Sequence, residues 1–437
     1  MKCDFCGTES EFEAAFIKQR RSFRRSHRTL CPPCWVRRRD RRQIRFLVIT
    51  VGMGVLGYTL LWLRPDSLLG ALLRNLFLLD LFLIASIVPH ELGHAVMARM
   101  LGWRVFQIVI GVGKPCLKWR WRGIQFDLRW LPLGGITLMA PAGNAWFRVK
   151  RFLSVLAGPA VNAGMAAATL WIWQGPVSEW DPITLPTVPQ LFVFANLWVL
   201  AVNLWPHNAK ESLRMPTDGK QLLDSFSRKH LAEALALRFA LEATSCRERK
   251  DLAGARDWCD RGLALYPDNV HLLSLTGVNH LDLQHYVEAR EVFHRLLARE
   301  KQASSLASVL MNNIAYANAL SGNPEWLAEA DAFSRNAYAQ LPWIPAIVGT
   351  RGTVLLALGQ IDEATKLLSK SFEEHESPIS KAENACHLAI AHARSEQLDK
   401  ARRYVDLARQ MHPACPLLPR AELEIAGHPA TATVPQG

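Results

Sequence analysis

His90, Glu91 and His94 stand in the run HELGH, an H-E-x-x-H motif. On a helix, residues four apart share one face, so the two imidazoles can hold one zinc ion. The glutamate between them is placed to act as a base toward a zinc-activated water. The setting narrows this chemistry. The motif follows FLLDLFLIASIVP, residues 77–89, which is apolar enough for a bilayer interior. Two histidines and a carboxylate are costly at that depth unless they pair with one another or with a metal. The motif therefore reads as a zinc hydrolase centre inside a membrane. Pro89 cannot donate to the Ala85 carbonyl, so a kink beside the motif is expected.

A catalytic zinc needs a third protein ligand and an open position for water. After the last apolar segment the chain reads NLWPHNAKESLRMPTDGK, residues 203–220, which offers Asp218 followed by Gly219. Seen alone, Asp-Gly is also an ordinary turn sequence. A second metal site is expected at the N-terminus. Cys3-x-x-Cys6 and Cys31-x-x-Cys34 are two knuckles separated by 24 residues, the pattern of a closed, structural zinc ribbon. The remaining cysteines, Cys116, Cys246, Cys259, Cys386 and Cys415, have no pairing pattern and read as reduced thiols.

The elements that must position these residues follow from hydropathy. The chain has 437 residues, half of them hydrophobic, and a net charge of +12. Its mean hydropathy of +0.04 averages an apolar half with a polar half. Apolar segments cover residues 44–63, 71–101, 152–173 and, more briefly, 191–205. The first is long enough to cross a hydrocarbon core of about 30 Å. The first 40 residues carry no apolar stretch of the kind a cleavable signal peptide needs. Residues 2–45 carry a basic block instead, including Lys18, Arg20, Arg21, Arg24, Arg25, Arg28, Arg37, Arg38, Arg39, Arg41 and Arg42. The loop 103–151 is also basic, whereas 174–190 holds Glu179 and Asp181 and no Lys or Arg. The positive-inside bias then puts both termini in the cytoplasm. A basic block beside a span fits anionic lipid of the bilayer surface more simply than nucleic acid.

Residues 105–139 alternate and are rich in β-branched and aromatic side chains, broken by GVGKP and an Arg-Gly pair, which predicts a β-hairpin at the inner membrane surface. From about residue 225 the texture changes to amphipathic helices. Ala255, Ala289, Ala330, Ala364 and Ala401 recur at spacings of 34, 41, 34 and 37. Twelve residues before each stand Ala243, Gly277, Asn318, Gly352 and Ala389. A period near 34 with small residues at helix crossings predicts tetratricopeptide-like repeats.

Three separated motifs together, HELGH, AGPAVN (residues 157–162) and N-x-x-P…P-x-D-G (Asn203, Pro206, Pro216, Asp218, Gly219), resemble the site-2 protease family of intramembrane zinc metalloproteases. The segment with GVGKP and LPLGG is similar to the one this family carries between its first two core helices. The resemblance covers roughly residues 69–223. It implies that His90, His94 and Asp218 ligate the catalytic zinc, that Glu91 is the general base, and that Asn162 and Asn203 hold the substrate backbone or bind helix to helix. One departure stands out: residues 207–215 lengthen the stretch before Asp218, which makes His207 a rival ligand.

The expected fold is mostly α: a polytopic transmembrane helical core with a membrane-associated β-hairpin, a small N-terminal zinc ribbon and a C-terminal α-solenoid. The expected boundaries are 1–42 for the basic ribbon, 43–224 for the protease core with about four transmembrane helices, 225–425 for the repeats and 426–437 for a flexible tail. The expected function is that of an intramembrane zinc endopeptidase cleaving transmembrane protein substrates. Its expected cofactors are one catalytic and one structural zinc ion, and its repeats would dock a cytosolic protein partner or a substrate tail. The alternative is a non-proteolytic membrane scaffold that retains the protease fold.

Overall fold

The computed structural model describes all residues except 12–15, 21–26, 142, 144, 174–185, 208–215, 301–303 and 428–437. The basic residues Arg21, Arg24 and Arg25, the loop acids Glu179 and Asp181, the added loop 208–215 and most of the tail lie outside the described residues. The chain divides into two compact units, one of residues 37–245 and one combining 1–36 with 246–437.

In the second unit, β1 (Ile17–Arg20) and β2 (His27–Leu30) pair antiparallel and lead into α1 (Pro32–Leu63), which continues into the first unit. There α2 (Leu68–Ala85) and α3 (Ile87–Met100) follow. The expected kink beside Pro89 is a local interruption: α2 ends at Ala85 and α3 begins at Ile87, while Ser86 between them keeps helical backbone angles and its N–H still reaches the Phe82 carbonyl, four residues back, at 2.9 Å. Pro89 has no N–H for the Ala85 carbonyl and its ring crowds that oxygen, so the helix restarts one residue on. Two strands come next, β3 (Arg104–Trp121) and β4 (Ile124–Ala140), then α4 (Phe147–Trp173), α5 (Val188–Leu204) and the short α6 (Asp218–Asp224).

Among the described residues, three stretches are long and apolar enough to cross a membrane: Pro32–Leu63, Leu68–Met100 and Phe147–Trp173. The helix Val188–Leu204 is apolar but shorter. On α1 the side chains of Val48, Ile49, Val51, Val55 and Trp62 are exposed, an arrangement that suits lipid and not water.

β3 and β4 form the expected hairpin, closed by Arg122 and Gly123 with φ of 48° and 80°. Positive φ at both central positions gives the two-residue turn whose twist matches paired strands. The strands bend on themselves. Residues 107–110 pair with 135–138 on one side and with 125–128 on the other, and 117–121 pair with 124–128. Asp127 is buried in this sheet and accepts from the amides of Gln107 (2.8 Å) and Gln125 (3.0 Å).

Then come α7 (Arg228–Glu248), which runs from one unit into the other, α8 (Leu252–Leu265), α9 (Val270–Asp282), α10 (Tyr286–Leu297), α11 (Ser305–Ser321), α12 (Leu327–Gln340), α13 (Pro345–Ala357), α14 (Ile361–Glu374), α15 (Pro378–Arg394), α16 (Leu398–Met411) and α17 (Leu418–Ala426). From α8 to α17 each helix packs on the next, as in a helical-repeat solenoid. All five periodic alanines, Ala255, Ala289, Ala330, Ala364 and Ala401, have 0% exposure, so the period marks helix crossings. Gly277 and Gly352 lie directly against Phe293 and Leu368, the larger partners four residues after Ala289 and Ala364.

Candidate metal centre

α3 carries His90, Glu91 and His94, all buried; the two histidines lie on the face that packs against α4, and Glu91 faces β4. The close approach of these helices depends on Gly158 of the AGPAVN run. A Cβ at that position would overlap the His94 imidazole at Nε2. On α4, the Ser154 carbonyl accepts the Nδ1–H of His94 at 2.9 Å. Asn162, one turn beyond Gly158 and fully buried, lies 2.6 Å from His90 Nδ1 through its Oδ1. Its amide donates to Asn196 Oδ1 on α5 at 3.0 Å, and the Asn196 amide donates to its own helix at Phe192 O.

These bonds fix the protonation pattern. A backbone carbonyl only accepts, so His94 carries its proton on Nδ1. Asn162 uses its amide on Asn196, so its oxygen faces His90, which then also carries its proton on Nδ1. Both Nε2 lone pairs are left pointing inward. They lie 3.2 Å apart, and Asp218 Oδ2 lies 3.1 Å from His90 Nε2 and 3.5 Å from His94 Nε2. Two lone pairs and a carboxylate in mutual contact repel one another unless a cation sits among them. Ligands about 2.0–2.1 Å from a tetrahedral zinc stand about 3.3 Å apart, which matches this cluster. The donor set, its spacing and its outer hydrogen bonds all fit zinc.

Asp218 opens α6, and Gly219 packs so tightly on the Leu204 carbonyl at the end of α5 that no side chain fits there. The rival residue His207 is exposed; its backbone N–H bonds to Thr217 Oγ1 at 3.1 Å. Glu91 points to the hairpin, where the Thr137 hydroxyl donates to Glu91 Oε2 at 2.6 Å. Of the two asparagines expected near substrate, Asn162 stands behind His90, and Asn203 bonds to its own helix at Val199 O, 2.9 Å away.

Four partners of the site were not read from the sequence: Ser154, Gly158, Thr137 and Asn196. Asn196 had a signal, since an amide in the middle of an apolar helix needs a partner. Thr137, two residues after the Gly-Gly pair, had none. The second cluster gathers Cys3, Cys6, Cys31 and Cys34, with all four sulfurs within 4.8 Å of one another.

The comparisons with known proteins agree with this geometry. Peptidase family M50 matches residues 78–322. A Clostridium acetobutylicum protein described as a candidate zinc metalloprotease is 32% identical over 114 residues, 24% of this chain and 32% of that protein. Stage IV sporulation protein FB of Bacillus subtilis is 28% identical over 166 residues, 38% of this chain and 46% of that protein. The chain thus spans less than half the length of either curated relative. A solved thermophilic TPR protein of Thermus thermophilus is 19% identical with a TM-score of 0.36, covering 44% of this chain and 99% of that one. The family match takes in HELGH, AGPAVN and P-x-D-G and runs over more than half of the sequence, and on that ground the chain belongs to peptidase family M50.

Proposed function

We propose that this protein is an intramembrane zinc endopeptidase of the site-2 type, acting on transmembrane protein substrates. The observation that carries the reading is the acceptor-only cluster of His90 Nε2, His94 Nε2 and Asp218 Oδ2, with both histidines on a stretch, Leu68–Met100, that is long and apolar enough for a bilayer. Zinc held by these three residues would polarise a scissile carbonyl and bring the pKa of a bound water toward neutrality.

The chain's own residues do the rest. Glu91, which ligates nothing in this arrangement, takes a proton from the water and delivers it to the leaving amine. The Thr137 hydroxyl holds the Glu91 carboxylate in place for that transfer. Asn162 and Ser154 O keep both imidazoles in the tautomer that presents Nε2.

A transmembrane substrate arrives as a helix with its carbonyls bonded internally and must unwind before it is cut. Residues 135–140 of β4 pair with β3 along one edge only, and among the described residues no strand pairs with the other. An unwound substrate segment adds to that edge, beside Thr137 and Glu91. The basic block and the basic loop 103–151 orient both termini toward the cytoplasm, where the repeats dock a partner or a substrate tail and raise its local concentration.

The test compares membrane proteomes of cells carrying the wild-type protein and Glu91→Gln. Accumulation of uncut transmembrane proteins in the variant is the expected result. Identical proteomes under conditions where the protein is present at wild-type level would favour the scaffold alternative.

A further inference from the structure

The N-terminal knuckle does not stand alone. Its apolar centre consists of Cys3, Phe16, Leu30, Cys31 and Cys34, and Trp343 of the repeats packs against it from outside. The Phe16 and Trp343 rings meet edge to face with centroids 5.6 Å apart. Two hydrogen bonds flank that contact. The Ser10 hydroxyl donates to Gln340 O at 2.5 Å, and the Glu11 N–H donates to Ala339 O at 3.3 Å. Ala339 and Gln340 are the last residues of α12, whose final carbonyls have no partner within the helix. The knuckle therefore caps the C-terminus of α12 and covers the tryptophan that follows.

Within the knuckle the sulfurs are set for a metal. Cys6 Sγ and Cys31 Sγ lie 3.6 Å apart, and the Cys31 N–H donates to Cys3 Sγ at 3.4 Å. Thiolates about 2.3 Å from a tetrahedral zinc stand about 3.8 Å apart. A core of five small and medium side chains is far below what folds unaided. A metal would support it from within, and Trp343 supports it from outside together with Met1 and Trp35. Because α1 starts between Cys31 and Cys34, this piece is continuous with the first apolar span.

We propose that the four-cysteine site is a docking joint: metal in the knuckle and attachment of the knuckle to the α12–α13 turn form one linked equilibrium. This goes beyond a structural zinc and rests on reading the four cysteines as a metal site. Linkage is reciprocal: docking strengthens metal binding by the same factor by which metal strengthens docking, so loss of the contact weakens metal binding and removal of the metal loosens the cap of α12.

The test titrates cobalt(II) into the full-length metal-free protein in detergent and follows the thiolate-to-cobalt charge-transfer band, which only a cysteine site produces. Phe16→Ala and Trp343→Ala should each weaken cobalt binding about tenfold, by loss of the ring contact and its burial. The double variant should be little weaker than either single one, because both remove the same contact. Trp343→Phe should restore most of the affinity, which a merely damaged repeat would not do. Far-ultraviolet circular dichroism of each variant checks that the repeats remain helical. Wild-type titration curves for both single variants, or fully additive losses in the double variant, would overturn the linkage. Absence of the band in the wild-type protein would instead remove the metal reading, and the joint with it.

Discussion

Asn162 accepts the Nδ1–H of His90 at 2.6 Å while giving its amide to Asn196 on the neighbouring apolar helix. One buried asparagine thus sets the tautomer of a proposed zinc ligand and ties three helices together. Asn162→Ala should leave the His90 ring free to turn and cost about 10–100-fold in affinity at the catalytic metal site. Competition with a chelator, read by metal analysis, checks it. Unchanged affinity would mean that Asn162 serves helix packing alone.

The glycine under His94 offers a sharper contrast. In Gly158→Ala the new methyl group would overlap the imidazole, so His94 must move and the catalytic metal should be lost. Gly164→Ala, on the same helix with nothing within 4 Å of the added carbon, should keep full metal content. Equal metal retention in both would show that α3 and α4 separate more easily than their packing implies.

Thr137→Val removes the hydroxyl that holds Glu91 and preserves the shape of the side chain. Metal content should stay at the wild-type level while turnover falls about tenfold or more, since a base out of position transfers protons poorly. Turnover equal to wild type would show that Glu91 needs no support from the hairpin.

The repeats carry a testable pH dependence. On α15, burial pushes the Glu383 carboxyl up from an ordinary 4.5 to about 8, with Cys415 and Asp282 adding to the effect and Arg247 opposing it. Between these values the folded state holds more protons than the unfolded chain, so stability falls as pH rises from 4.5 to 8. Glu383→Gln should therefore melt close to wild type near pH 4.5 and higher than wild type at pH 8 and above. Thermal unfolding followed at 222 nm on the wild-type and variant chains measures this, and parallel curves across the whole range would contradict it.

Much of this was legible in the sequence, and the reasons are physical. The helix period places His90 beside His94 with no knowledge of the fold. The hydropathy of residues 77–89 gives the environment, and the recurring alanines give the solenoid because helix crossings tolerate only small side chains. That Asp218 stands beside the two histidines was readable through its P-x-D-G context and the family resemblance, although nothing local separates a ligand from a turn. The outer partners were not legible. Asn162 was expected near the site through AGPAVN, but its bond to His90 was not, nor was that of Thr137 to Glu91; these are contacts across 72 and 46 residues, and no period or spacing encodes them. The same holds for the knuckle, whose cysteines announce themselves while its partner Trp343 does not.

The most direct test of the central claim places one sample in two assays. Purified Glu91→Gln protein, reconstituted with a transmembrane peptide substrate that the wild type cuts, is assayed for cleavage and for zinc. Wild-type zinc content with cleavage reduced about 10²–10⁴-fold is the expected result if Glu91 moves protons and does not bind the metal. Cleavage at the wild-type rate, or loss of the zinc together with the activity, would contradict it.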